Sequence, residues 1–122
     1  MAGQLKSDCL FCKIIEGKIP SKKVYEDDHM LAFHDINPAA PIHFLIVPKI
    51  HFENLYDGDL QYQEVLGKML GMTGQLAREQ GANDGFRVII NNGRVGKQEV
   101  YHLHIHVIGG PDPLGSRNNP GH

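Results

Sequence analysis

A chain of 122 residues, 41% of them hydrophobic, is long enough to bury one substantial core and is expected to form a single domain over 1–122. Its net charge of −2 and pI near 6.4 argue against a nucleic-acid groove or an anionic membrane surface as the main partner, so any phosphate must be held by a local arrangement. The opening Met-Ala-Gly-Gln-Leu-Lys-Ser-Asp has no apolar leader core and no run approaches the ~18–20 apolar residues of a membrane span, which gives the expectation of a cytoplasmic protein.

In chain order, Asp8 is placed to cap a short helix over 9–16, where Leu10, Phe11, Ile14 and Ile15 form apolar pairs and Gly17 stops it. The two cysteines, Cys9 and Cys12, fall in that segment as Cys-Leu-Phe-Cys. A reducing compartment disfavours a disulfide, leaving a redox pair, half of a metal site, or two small buried hydrophobes. A redox pair would follow a strand, and nothing upstream reads as one. Ile19-Pro20-Ser21 is a turn, and 23–26 and 30–34 read as the strands of a hairpin about Asp27-Asp28. Two prolines break 35–41, an apolar strand follows over 43–48, and 49–52 is a loop.

From about 59 to 80, Val65, Leu66, Met69, Leu70, Met72, Leu76 and Ala77 recur at helical spacing, predicting one long helix. Gly67, Gly71 and Gly74 each lower its propensity by about 1 kcal/mol against Ala, so close approach to a sheet or a partner helix is expected there. Residues 86–91 give a fourth strand and 92–97 a glycine-rich loop. After Gly109-Gly110 the tail 111–122 is polar, rich in Pro and Gly and without periodicity, which predicts flexibility. The sum is an α+β fold: five short, mainly antiparallel strands with one short helix and one long helix covering the sheet.

The chemistry concentrates in 100–110, Val-Tyr-His-Leu-His-Ile-His-Val-Ile-Gly-Gly. In an extended strand His102, His104 and His106 share one face and Leu103, Ile105 and Val107 the other. The histidine face has three readings: a solvated strand face, a metal site, or a catalytic site with one histidine as nucleophile.

His102-Leu-His-Ile-His-Val-Ile resembles the His-X-His-X-His-X-X signature of the histidine triad family. Gly-Lys-Gln-Glu-Val-Tyr before it and Gly-Gly after it are similar to the Hint-like purine-nucleoside phosphoramidase branch, bacterial type. So are Phe11-Cys-Lys-Ile-Ile-Glu-Gly-Lys-Ile-Pro20, Ala32-Phe-His-Asp-Ile-Asn-Pro38 and Ala40-Pro-Ile-His-Phe-Leu-Ile-Val-Pro-Lys49, and the resemblance runs in order over about 9–110.

This resemblance implies nucleotidyl transfer to His104 and hydrolysis of the nucleotidyl-histidine, with no cofactor required for catalysis. It agrees with the chemistry of neutral imidazole, whose pKa near 6.5 leaves it largely unprotonated at neutral pH. By resemblance His106 contacts the phosphate or protonates the leaving amine, His102 orients the central ring, and His43 is the fourth active-site histidine. Asn91 lies near the phosphate, and Gln98 to Val100 offer it N–H groups and side chains. Glu99 stands where eukaryotic members have Ser, although a Glu occurs in bacterial-type members; beside a phosphate it would be protonated, act as an acid or accept from the amine, and it is counted with the catalytic residues. Asp35 matches the ribose-binding carboxylate, although it could merely cap the turn before Pro38. Phe11, Ile14, Ile19, Phe33 and Ile36 match the purine's apolar walls and are equally what any small core would use.

In zinc-bearing relatives a Cys-X-X-Cys pair joins two histidines, here Cys9, Cys12, His51 and His102, a Cys₂His₂ set suited to a structural zinc. The resemblance further implies a C2 homodimer in which two five-stranded sheets make a ten-stranded one, with the long helix, its Gly67 and Gly71, and the last strand at the interface. A dinucleoside polyphosphate hydrolase, a non-catalytic nucleotide sensor and a zinc-stabilised interaction protein are the alternatives.

Overall fold

Two helices and five strands follow one another as α1 (Leu10–Ile15), β1 (Lys23–Glu26), β2 (Met30–His34), β3 (Ile42–Pro48), α2 (Leu60–Glu79), β4 (Arg87–Ile89) and β5 (Ile105–Gly109) in the computed structural model, which describes residues 5–115. The strands form one antiparallel sheet in the order β1-β2-β3-β5-β4, so the last strand in the chain lies between β3 and β4. The β1–β2 hairpin is closed by Asp27, whose carboxylate accepts the N–H groups of His29 and Met30 while its own N–H donates to the Met30 carbonyl.

Strand alternation sorts the apolar residues into two layers. Met30, Ala32, Phe44, Ile46, Leu103, Ile105 and Val107 face α2 and pack with its Tyr62, Val65, Met69, Leu76 and Ala77. Leu31, Phe33, Leu45 and Val47 point to the opposite face and pack with Phe11, Cys9 and Cys12 of the α1 region. That second face also carries the histidines, so α1 roofs the site while α2 supports the sheet from behind. No described helix is long and apolar enough to cross a membrane.

Several expectations are corrected. The cap of α1 is Cys9, not Asp8: its sulfur accepts the Cys12 N–H at 3.3 Å, and the helix is two residues shorter than expected. The histidine-bearing strand starts only at Ile105, because the chain bends at Tyr101–His102 and the Leu103 N–H bonds to the Phe52 carbonyl at 2.8 Å, outside the sheet. Leu70, expected inside, is exposed, while Thr73 is buried with its hydroxyl donating to the Leu70 carbonyl. Gly67, Gly71 and Gly74 do not admit the sheet: a Cβ on any of them would meet nothing within 4 Å. Of the expected flexible tail, 111–115 has no regular structure and meets Arg87, which donates to the Gly115 carbonyl at 3.0 Å; 116–122 lie outside the described residues.

Candidate active site

His102, His104 and His106 are all buried, which removes the solvated-face reading. The His104 Nδ1–H donates to the His102 carbonyl at 2.8 Å, so the neutral ring carries its lone pair on Nε2. Phe11 sets its ring edge-to-face against His104 at 4.9 Å and against Phe33 at 5.7 Å, holding the imidazole in place. His43 is brought opposite by β3. Its Nδ1 accepts the Ala39 N–H at 2.9 Å, which puts the proton of the neutral ring on Nε2; that proton faces His106 Nδ1 at 2.9 Å and Asp35 Oδ2 at 3.3 Å. Neutral His106 therefore carries its own proton on Nε2. Asp35 caps the turn, one of the two roles expected of it: Oδ1 accepts the Asn37 N–H at 2.8 Å, while Oδ2 lies 3.3 Å from His43 Nε2.

The start of α1 brings a second group together. Cys9 and Cys12 sulfurs each lie 3.4 Å from His102 Nδ1, Cys12 Sγ lies 3.3 Å from His51 Nδ1, and the two Nδ1 atoms are 3.1 Å apart. Tetrahedral zinc with its usual bond lengths requires S···N edges of about 3.5 Å and N···N edges of about 3.3 Å, so this donor set is already spaced for it. His102 Nε2–H donates to the Pro48 carbonyl at 2.9 Å, which turns the Nδ1 lone pair toward the sulfurs, as a metal ligand requires. Burial depresses the His102 ring to about 4 and lowers His51, keeping both neutral; it raises the Cys12 thiol to about 12, so a cation must displace that proton.

Asp35, His43 and His106 also lie within metal-ligand reach of one another. The protons separate the two groups. His43 presents Nε2–H to its cluster and would have to become an imidazolate to bind a cation, whereas His102 presents a lone pair. One group is built for protons and hydrogen bonds, the other for a soft cation.

The profile of the HIT domain family matches residues 16–112, most of the chain. The chain belongs to the HIT domain family. This HIT domain is 44% identical over 112 residues to the purine nucleoside phosphoramidase of Escherichia coli K12, covering 91% of this chain and 93% of that protein. It is 44% identical over 105 residues to a 14 kDa zinc-binding protein of Brassica juncea, covering 84% and 93%. Among solved structures, a histidine triad protein from Clostridium difficile superposes with a TM-score of 0.84 at 46% identity, covering 90% of this chain and 96% of that one.

In this HIT domain Phe33 is buried, Ile14 and Ile19 are half-buried, and Ile36 stands 92% exposed on the loop after β2. Asn91 is half-buried just past β4, and Glu99 is exposed. The expected side-chain offer of Gln98 to a phosphate does not hold, because its amide is occupied by Asn54, Gly93, Glu53 and Val100. Val100 packs under α1 and gives its carbonyl to Gln98. Asn54 was not legible as a site neighbour. Its only signal was an Asn-Leu-Tyr-Asp turn, in which the Asn54 side chain accepts the Tyr56 N–H at 3.0 Å.

Proposed function

We propose that this HIT domain is a hydrolase that cleaves the P–N bond of purine nucleoside 5′-phosphoramidates, AMP or GMP conjugates, to the nucleoside monophosphate and an amine. His104 carries the proposal: with Nδ1–H given to the His102 carbonyl at 2.8 Å, its Nε2 has the lone pair a nucleophile needs. Nε2 attacks phosphorus, the P–N bond breaks, and the nitrogen leaves with the bonding pair, taking up a proton from solvent. Water then adds to phosphorus, the P–Nε2 bond breaks back to His104, and the water's proton returns to solvent. His106 donates Nε2–H to a phosphate oxygen; giving that proton away would leave an imidazolate, so it acts as a hydrogen-bond donor. Asp35 takes the ribose hydroxyls, and Phe11, Ile14, Ile19, Phe33 and Ile36 form the purine walls. Asn91 and the N–H groups of Glu99 and Val100 meet the phosphate.

Cys9, Cys12, His51 and His102 would hold a zinc ion, supported by the 3.1–3.4 Å spacing of their donor atoms and by the similarity to the Brassica zinc-binding protein. Bound there, zinc would supply a structural cross-link, leaving the nucleophilic step to the His104 imidazole. The unbridged thiols suit a reducing cytoplasm. The protein works as a homodimer of single-domain protomers, with Leu60, Gly67, Leu70 and Gly71 on the exposed face of α2 and β4 at the sheet edge.

The test is release of AMP from adenosine 5′-phosphoramidate by the purified protein and by His104→Ala, each with and without a chelator. Wild type should turn over in all conditions, while His104→Ala should lose activity by at least about 10³-fold and still bind AMP. Turnover by His104→Ala at the wild-type rate would overturn the assignment of the nucleophile.

A further inference from the structure

The Gln98 side-chain amide is buried, and each of its hydrogen-bonding positions is met by protein. Oε1 accepts from Asn54 Nδ2 at 3.2 Å and from the Gly93 N–H at 2.9 Å; Nε2 donates to the Glu53 carbonyl at 2.6 Å and the Val100 carbonyl at 3.1 Å. Two donors and two acceptor lone pairs are all that an amide has, so no polar atom remains for a ligand. The partners come from three stretches: the turn two residues beyond His51, the start of the glycine-rich loop, and the residue two before the triad.

The loop that Gln98 ends is held in an unfavourable shape. A Cβ on Gly96 would fall 2.5 Å from the Asn92 carbonyl oxygen, and Lys97 sits at φ 60°, a left-handed conformation that costs a non-glycine residue and persists only where its surroundings impose it. The Lys97 N–H bonds to the Arg94 carbonyl and the Gln98 N–H to the Gly93 carbonyl, each at 3.0 Å, and the Leu55 N–H bonds to Asn92 Oδ1 at 2.8 Å. Directly afterwards the N–H groups of Glu99 and Val100 make no hydrogen bond within the chain among the described residues. A clamped, strained loop thus runs into two donors without an internal acceptor, next to the triad.

We propose that Gln98 is a positioning residue: its amide clamps the strained loop onto 53–54 and fixes the Val100 carbonyl, so that the N–H groups of Glu99 and Val100 are set for phosphate oxygens. This rests on the nucleotide-hydrolase reading above and deepens it, because recognition of the phosphate is separated from recognition of the nucleoside.

Calorimetric titration of the full chain with AMP and with adenosine tests the division, using wild type, Gln98→Met and Asn54→Ala, with thermal unfolding alongside. Gln98→Met fills the same volume without the four bonds; Asn54→Ala removes one clamp partner and leaves Gln98 intact, so it serves if the first variant folds poorly. Wild type should prefer AMP to adenosine. Gln98→Met should lose that preference by about tenfold or more and Asn54→Ala by less, while adenosine affinity holds in both. An unchanged preference in both variants overturns the proposal, as does an equal loss of AMP and adenosine affinity, which would mean a merely structural residue. If wild type hydrolyses the phosphoramidate but shows no preference for AMP, the clamp proposal falls and the hydrolase reading stands. If wild type neither binds AMP nor turns over, both fall.

Discussion

His102 presents its two ends to different neighbours. Its ring faces the sulfurs and His51, and its main-chain carbonyl takes the His104 proton. Because burial lowers the ring from 6.5 to about 4, the unfolded chain binds a proton that the folded chain does not between those values. The associated stability is therefore full above pH 6.5 and lost as pH falls toward 4, by about 3 kcal/mol for this one ring. Metal-stripped protein should melt at steadily lower temperature across that window, and His102→Asn protein should melt with a shallower pH slope. Equal slopes would remove His102 as the cause. At the other end Cys12, raised from 9.0 to about 12 mainly by burial, should cost stability as pH rises through that range.

At the scale of elements, α2 carries its small residues on the outside. A Cβ at Gly67 or Gly71 meets nothing within the chain, so alanine there should stabilise an isolated helix by about 1 kcal/mol. Against a partner helix the same methyl should instead hinder approach. Gly71→Ala examined by sedimentation and thermal unfolding separates the cases: a shift toward monomer supports the α2 interface, and an intact dimer with a raised Tm counts against it. The strands β1 and β2 were legible to the residue, because Asp27-Asp28 and the prolines around them punctuate the chain locally. The start of β5 was not. His-X-His-X-His alternates perfectly as a strand, yet Pro48 and Phe52, some fifty residues away, draw His102 and Leu103 out of the ladder. The same limit applies at the site. Which residues gather there could be read from motifs, but the placing of each proton depends on carbonyls and N–H groups that only folding brings near, such as Ala39 for His43. Gln98 reads as a ligand because it stands in the run before the triad, yet its amide is bonded to Glu53 and Asn54, about 45 residues away, as well as to nearby Gly93 and Val100.

Across the whole molecule, the Cys9, Cys12, His51 and His102 group ties the first helix to the end of β3 and to the approach to β5. A cation bound only by the folded chain stabilises it by mass action, about 2.7 kcal/mol at a hundredfold excess over Kd. Chelation should accordingly lower Tm by about 10 °C, and Cys9→Ser should melt near the chelated value and ignore the chelator. Absence of zinc by elemental analysis together with an unmoved Tm would exclude the site. Strand order carries a different consequence, for synthesis rather than for chemistry. The sheet closes only when 105–109 slide between β3 and β4, two strands that meanwhile expose bare edges. A ribosome that stalls before residue 109 leaves a product whose central gap is unfilled, and the missing piece bears His106 and follows His104 directly. Incomplete copies are thus marked by unpaired edges for aggregation or removal, so that in this protein closing the sheet and seating the strand that continues from His104 are the same event.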